Sequence, residues 1–398
     1  MVDRRRWWRR SVALAAMVPM TLAGCSSLGP EPEAAGSVSQ GISSIDSNDS
    51  ASANVGRIIS RVQNGKIVFT SDRGGSKQIW VMDANGSNQT QLTFAYRAAQ
   101  LPSWSRDGTK IAFVGSWDSP GLAYTGRPVT DQLYVMNADG SNQKLLTTAW
   151  FANRQLVSNE NAPTWSPDGK LIAFQGHSLF HHPLNKPAYV IHADGSGLAR
   201  LPDVLHNMDW SPDGTRLVYD FNGQGIRITN APSISFGGAD VAGPATGPVL
   251  TTKPGDRNAS WSLDGKRIVF NRSPNGDGSA PNVFVMNADG SALTDLTGNS
   301  SDQLPVWAPN GTKIAFAARG AVNNEDILVM NTDGTGRTRL TTDPGLDYQP
   351  SWQLGPNWFA EPLIDVPLLE KAPPTIARQA ASQAISPCLF GIDLPWTC

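Results

Sequence analysis

WSRDGTKIAF, residues 104–113, returns along the chain as WSPDGKLIAF (165–174), WSPDGTRLVY (210–219), WSLDGKRIVF (261–270) and WAPNGTKIAF (307–316). A worn sixth copy, PSWQLGPNWF, starts at Pro350. Successive tryptophans lie 61, 45, 51, 46 and 45 residues apart. Self-similarity with a period of roughly 40–50 residues is the signature of a propeller whose blades each hold four strands. Insertions account for the longer intervals.

Each copy joins two short β-branched and aromatic runs through a Ser-Pro-Asp-Gly type of turn, in which Pro presets φ and Gly accepts a positive one. That pattern predicts a hairpin. A second hairpin signal follows: VMDANGS from Val81, VMNADGS from Val135, VIHADGS from Val190, VMNADGS from Val285 and VMNTDGT from Val329. Two hairpins make four strands. The first strand, NGKIVF at 64–69, has no Trp segment before it, and the Trp352 segment has no complete unit after it. Each end supplies what the other lacks, so residues 350–353 are expected to complete the blade that begins at Lys66. The expectation is an all-β, six-bladed propeller with no open sheet edge.

The recurrent Trp104, Trp165, Trp210, Trp261, Trp307 and Trp352 are read as packing between neighbouring blades, where one large aromatic buries much apolar surface. Asp107, Asp168, Asp213 and Asp264 share one turn position, as do Asp139, Asp194, Asp289 and Asp333 in the second hairpin. A carboxylate there accepts backbone N–H groups of its own turn, and equivalent positions on separate blades are too far apart to share an ion.

The paired motifs resemble the WD-like repeats of the TolB family's propeller domain over about residues 60–353. The resemblance implies a six-bladed exported propeller that works by binding proteins of the cell envelope. TolB also implies an α/β domain ahead of the ring, whereas this chain has a stretch of tether composition there.

Residues 1–24 read as an export signal: Arg4, Arg5, Arg6, Arg9 and Arg10 precede an apolar run from Val12 to Leu22. The run contains Pro19 and is short for a span of about 20 residues. Leu22-Ala23-Gly24-Cys25 matches the lipobox of bacterial lipoproteins, which implies cleavage before Cys25 and a diacylglycerol on its sulfur; an ordinary signal with an incidental Cys is the alternative. The expected location is therefore the outer face of the cell membrane, or an envelope membrane, held by that lipid. No other cofactor is expected. Removing residues 1–24 takes away five Arg and one Asp, moving the formal charge from −2 to −6. A mildly acidic surface argues against nucleic acid as a partner. A monomer is expected. Residues 25–60 are rich in Ser, Gly, Ala, Pro and Asn, the composition of a flexible tether. Residues 354–398 form a Pro-rich tail, where Cys388 and Cys398 are candidates for a disulfide; two idle thiols are the alternative.

For a binding site, the turn into each innermost strand faces the channel mouth, which singles out the residue four before each Trp. These are Gln100, Asn161, His206, Arg257, Gln303 and Tyr348. One position earlier stand Glu160, Asp256, Asp302 and Asp347, beside Ala99 and Leu205. Convergent polar groups of this kind suit a peptide terminus, a sugar or a cation, though loops are polar in any case. All five histidines fall in blade three and the loop after it, making His177, His181, His182 and His206 candidate metal ligands, with His192 a surface substitution. Long insertions at 115–131, 148–162, 176–187, 231–248 and 272–281 carry several aromatics and offer a further surface.

Three functions fit. The first is a lipid-anchored propeller that binds or scaffolds an envelope protein. The second is a receptor for a sugar or small ligand at the channel mouth. The third is a metal-dependent polysaccharide lyase resembling oligogalacturonate lyase, served by the histidines. A serine peptidase of the prolyl oligopeptidase kind needs a G-x-S-x-G elbow and its α/β domain, and neither is in the chain. No catalytic residue is assigned.

Overall fold

The computed structural model describes residues 63–116, 131–147, 163–176, 188–201, 205–221, 224–231, 247–276, 279–298, 301–320 and 324–355. These residues fold as six antiparallel sheets set around an axis, five of four strands and one of three. Cys25, Glu160, Asn161, His177, His181, His182, Cys388, Cys398 and most of the aromatic-bearing insertions lie outside the described residues.

Blade 2 shows the pattern. Its strands Ala98–Trp104, Lys110–Ser116, Asp131–Asn137 and Lys144–Leu145 pair in sequence order, from the axis outward. The other innermost strands are Thr164–Trp165 in blade 3, His206–Trp210 in blade 4, Asp256–Trp261 in blade 5 and Asp302–Trp307 in blade 6. Blade 4 is the three-stranded sheet, its outer edge met by a single bridge from Arg227 to Val249.

Blade 1 is built from both ends of the ring. Its strands Asn64–Ser71, Gln78–Met82 and Thr90–Gln91 are followed inward by Asp347–Leu354. The register places Ile67 opposite Trp352, Val68 opposite Ser351 and Ser71 opposite Asp347. The closing strand therefore pairs where the sequence pattern put it, and every inner strand has a neighbour.

The aromatic that ends each repeat motif is fully buried: Phe69, Phe113, Phe174, Tyr219, Phe270 and Phe316 are 0% exposed. Between these blade centres lie six apolar seams. Trp104 packs with Val68 and Val81 of blade 1 and with Ile111 and Phe113 of its own blade. Trp165, Trp210, Trp261 and Trp307 repeat that bridge around the ring, and Trp352 packs against the seam between blades 6 and 1. The tryptophan recurs because each seam needs one large flat side chain to join two twisted sheets.

The turn aspartates act locally. Asp107 Oδ1 accepts the Ser105 hydroxyl at 2.5 Å and the Thr109 N–H at 3.0 Å. Ser105 Oγ in turn accepts the Lys110 N–H at 2.9 Å, stapling the hairpin. The same network recurs at Asp168, Asp213 and Asp264. Burial pushes the Asp107 carboxyl up, but the hydrogen bonds from Ser105 and Thr109 outweigh it and leave the group below the usual range. In the second hairpin, Asp139, Asp289 and Asp333 accept the Ser141, Ser291 and Thr335 groups in like manner.

Candidate functional site

The innermost strands do not run straight. In blades 2, 4, 5 and 6 the pairing slips between the fourth and first residues before the Trp, and the closing strand of blade 1 slips in the same region. At the slip one residue takes a positive φ: Leu101 (58°), Asn207 (46°), Asn258 (56°), Leu304 (55°) and Gln349 (57°). None is glycine. Such β-bulges re-aim the side chains that follow. Neighbouring blades stabilise the bulges: the Leu101 N–H donates to Gln349 Oε1 at 3.0 Å, and the Trp104 N–H to Ser351 Oγ at 3.2 Å.

In the five blades where a bulge is described, the three residues before the Trp line the axis. A central cavity of about 320 Å³ is lined there by residues of all six blades. Its wall carries small hydroxyls at Ser103, Thr164, Ser260 and Ser351, amides at Asn207, Asn258 and Gln349, and a collar of Pro102, Pro163, Pro305 and Pro350. A smaller cavity of about 150 Å³ adjoins it along the axis, walled by Trp104, Trp210, Trp261, Trp307, Pro212, Leu263, Pro309 and Leu354. Arg106 and Asp209 belong to both walls and, among the described residues, are the charged side chains of either. They form the waist of the channel.

Asp209 replaces the Ser or Thr that most blades place directly before the Trp. Its Oδ2 accepts the Trp261 N–H of blade 5 at 2.8 Å, and its Oδ1 accepts the Thr164 hydroxyl of blade 3 at 3.2 Å. Burial pushes its carboxyl up to about 6, against the pull of those donors, Ser260 and the charge of Arg106. Burial also holds the Arg106 guanidinium down to about 10, with Asp209 opposing the shift.

The residues singled out in the sequence lie elsewhere. Asp256, Asp302 and Asp347 are buried inside their blades instead of converging on the axis. Asp256 takes both arms of Arg272 at 2.6 and 2.8 Å, Asp302 takes Arg337 at 2.7 and 2.9 Å, and Asp347 takes Arg73 at 2.6 Å. Each arginine also lies over a core Phe of its blade, Phe270, Phe316 or Phe69. A desolvated carboxylate needs such a partner, so these acids hold blades together.

Of the other set, Gln100, His206, Arg257, Gln303 and Tyr348 are absent from the walls of both axial cavities. Gln175 Nε2 lies 2.9 Å from His206 Nδ1, Gln303 donates to Glu325 Oε1 at 2.9 Å, and Lys77 sits over the Tyr348 ring at 5.5 Å. Arg257 is exposed. Beneath His206 and Arg257, burial raises the Asp220 carboxyl, which accepts a hydrogen bond from Asn207. Among the described residues, no group of three His, Cys, Asp or Glu could hold a metal ion. Sequence reasoning missed the residues one to three before the Trp. The signal that marks them is the proline at that depth in four copies, since a Pro within a strand flags a bulge.

The family profile described as the TolB beta propeller domain matches residues 152–356, more than half of the chain. A Protein TolB homolog of Chlorobium luteolum is 29% identical over 314 residues, covering 74% of this chain and 61% of the relative. The Tol-Pal system protein TolB of Bordetella pertussis is 28% identical over 292 residues, 72% of this chain and 59% of its own length. The chain thus spans about three fifths of these relatives. Among solved structures, TolB from Acinetobacter baumannii superposes with a TM-score of 0.53 at 21% identity, over 73% of this chain and 66% of that one. Periodicity, six sealed blades and the family match lead to one assignment: the chain belongs to the TolB β-propeller domain family.

Proposed function

We propose that the protein is an exported, lipid-anchored propeller that binds or scaffolds a protein of the bacterial cell envelope. Cys25 carries the diacylglycerol in this reading, residues 25–60 hold the ring away from the bilayer, and no nucleic acid is involved. The observation that carries it is the ring itself: a rigid closed scaffold of a family whose curated relatives are named for the Tol-Pal system. Nothing in the reading requires catalysis, and the ring acts by offering surface. The anchor is tested first by metabolic labelling with a palmitate analogue, expected on the wild type and absent from Cys25→Ser. The binding role is tested by cross-linking the anchored protein in intact cells. One stoichiometric envelope protein supports the reading; a ring recovered alone under conditions that cross-link known neighbours overturns it.

A second reading, a receptor for a small ligand within the channel, draws support from the cavity of about 320 Å³ and its hydroxyl and amide lining. A cavity of that size with a few convergent polar groups suits a compact molecule.

A further inference from the structure

Two departures from the repeat meet at the waist of the channel. The position two after the Trp is Pro167, Pro212, Leu263 and Pro309 in blades 3 to 6, and Arg106 in blade 2. The position before the Trp is Ser103, Thr164, Ser260, Val306 and Ser351 in five blades, and Asp209 in blade 4. Turn geometry does not ask for an arginine where proline serves, and the Trp N–H of the next blade is satisfied by a serine where Ser351 stands. Yet the two charged exceptions, on blades separated by a third, line both axial cavities and lie close enough for each to feel the other's charge.

They do not neutralise one another directly. Asp209 draws its hydrogen bonds from Thr164, Ser260 and the Trp261 N–H. Among the described residues the Arg106 guanidinium has neither a hydrogen bond nor an ion pair, although it is partly buried. A partly buried charge with no hydrogen bond of its own loses hydration that nothing in the wall replaces, so the waist gains most from an occupant that answers both groups. A lone anion on Arg106 meets the negative charge of Asp209, and a lone cation beside Asp209 meets Arg106. A molecule bearing both charges on neighbouring atoms avoids either repulsion. Its remaining atoms would enter the larger cavity, whose wall offers Pro102, Pro163, Met208, Pro305 and Pro350 beside uncharged hydroxyls.

We infer that the waist between Arg106 and Asp209 is a binding site for a small zwitterion of the α-amino-acid type, carboxylate toward Arg106 and ammonium toward Asp209, with an uncharged side chain in the cavity of about 320 Å³. The site lies inside the ring and does not depend on whether the outer surface binds a protein.

The test is isothermal titration of the full-length protein with alanine, leucine and phenylalanine, beside N-acetylalanine, alanine methyl ester, acetate and methylammonium. Saturable binding of at least one amino acid is expected, with each single-charge compound at least tenfold weaker. Arg106→Pro and Asp209→Ser, which install residues other blades already use, should each weaken binding at least tenfold while thermal unfolding stays cooperative. Absence of saturable binding by all three amino acids overturns the inference. So does acetate or methyl ester binding as tightly as alanine, or folded variants that bind like the wild type. Should either variant fail to fold, the comparison among single-charge compounds on the wild type decides the matter alone.

Discussion

The backbone N–H of Trp261 donates to Asp209 Oδ2 at 2.8 Å, tying the inner strand of blade 5 to a carboxylate of blade 4 that burial holds near a pKa of about 6. At the seam between blades 1 and 2 the corresponding link runs from the Trp104 N–H to the neutral Ser351 hydroxyl. One seam of the ring therefore carries a titratable acceptor where another carries a hydroxyl, and this difference has a measurable pH signature.

An acid whose folded pKa is raised from 3.8 to about 6 holds its proton more tightly in the folded state. Its contribution to stability is full below the unfolded value and is lost as the pH rises through the folded one. Asp209→Ser removes that loss. The variant should gain roughly 1–3 kcal/mol on the wild type between pH 4 and pH 7, read from urea unfolding at both values. Parallel stability curves for the two proteins would show that Asp209 is not held near pH 6.

Trp261 is 5% exposed and fills the seam between blades 4 and 5, with the Arg216 guanidinium 4.8 Å from its ring. Trp261→Ala should cost about 3–5 kcal/mol, as large-to-small changes in a core do. Trp352 is only partly buried at its seam, so Trp352→Ala should cost less. Urea midpoints for the pair check the order, and equal losses would contradict the packing described.

Asp302 and Arg257 stood side by side as mouth candidates in the sequence, and the structure separates them. Asp302 is 0% exposed and holds Arg337, whose side chain is 33% exposed, with two hydrogen bonds, so Asp302→Ala should cost about 1–3 kcal/mol by removing both. Arg257 is exposed, and Arg257→Ala should stay within about 0.5 kcal/mol of wild type. Guanidinium unfolding of both variants discriminates a blade-building acid from a surface cation.

The fold was legible because its determinants are local and repeated. Trp-Ser-Pro-Asp-Gly sets one turn, Asn-Ala-Asp-Gly another, and the unmatched strand at Asn64 announces a partner at the far end of the chain. The channel was less so. Counting four or five residues back from each Trp assumes a straight strand, whereas the bulges at Leu101, Asn207, Asn258, Leu304 and Gln349 shift which side chains reach the axis. Because strand side chains alternate, such a slip changes the face each residue presents. The acids Asp256, Asp302 and Asp347 looked like a rim because their partners Arg272, Arg337 and Arg73 are 16 to 274 positions away. Arg106 and Asp209 stand 103 positions apart in the sequence, and only the arrangement of blades 2 to 4 around one axis brings them to one waist.

Everything about that waist depends on the ring being sealed where Asn64–Ser71 meets Asp347–Leu354. The direct measurement is a cross-link between Val68 and Ser351, which stand opposite one another in the closing pair. Cα atoms directly opposite in an antiparallel pair lie about 4.5–5.5 Å apart, within disulfide reach. Val68→Cys with Ser351→Cys, in a chain whose Cys25, Cys388 and Cys398 are changed to Ser, should oxidise to one intramolecular disulfide and unfold at a higher urea concentration than its reduced form. Two thiols that remain free to alkylation in the folded, oxidant-treated protein would contradict the closure and the channel built upon it.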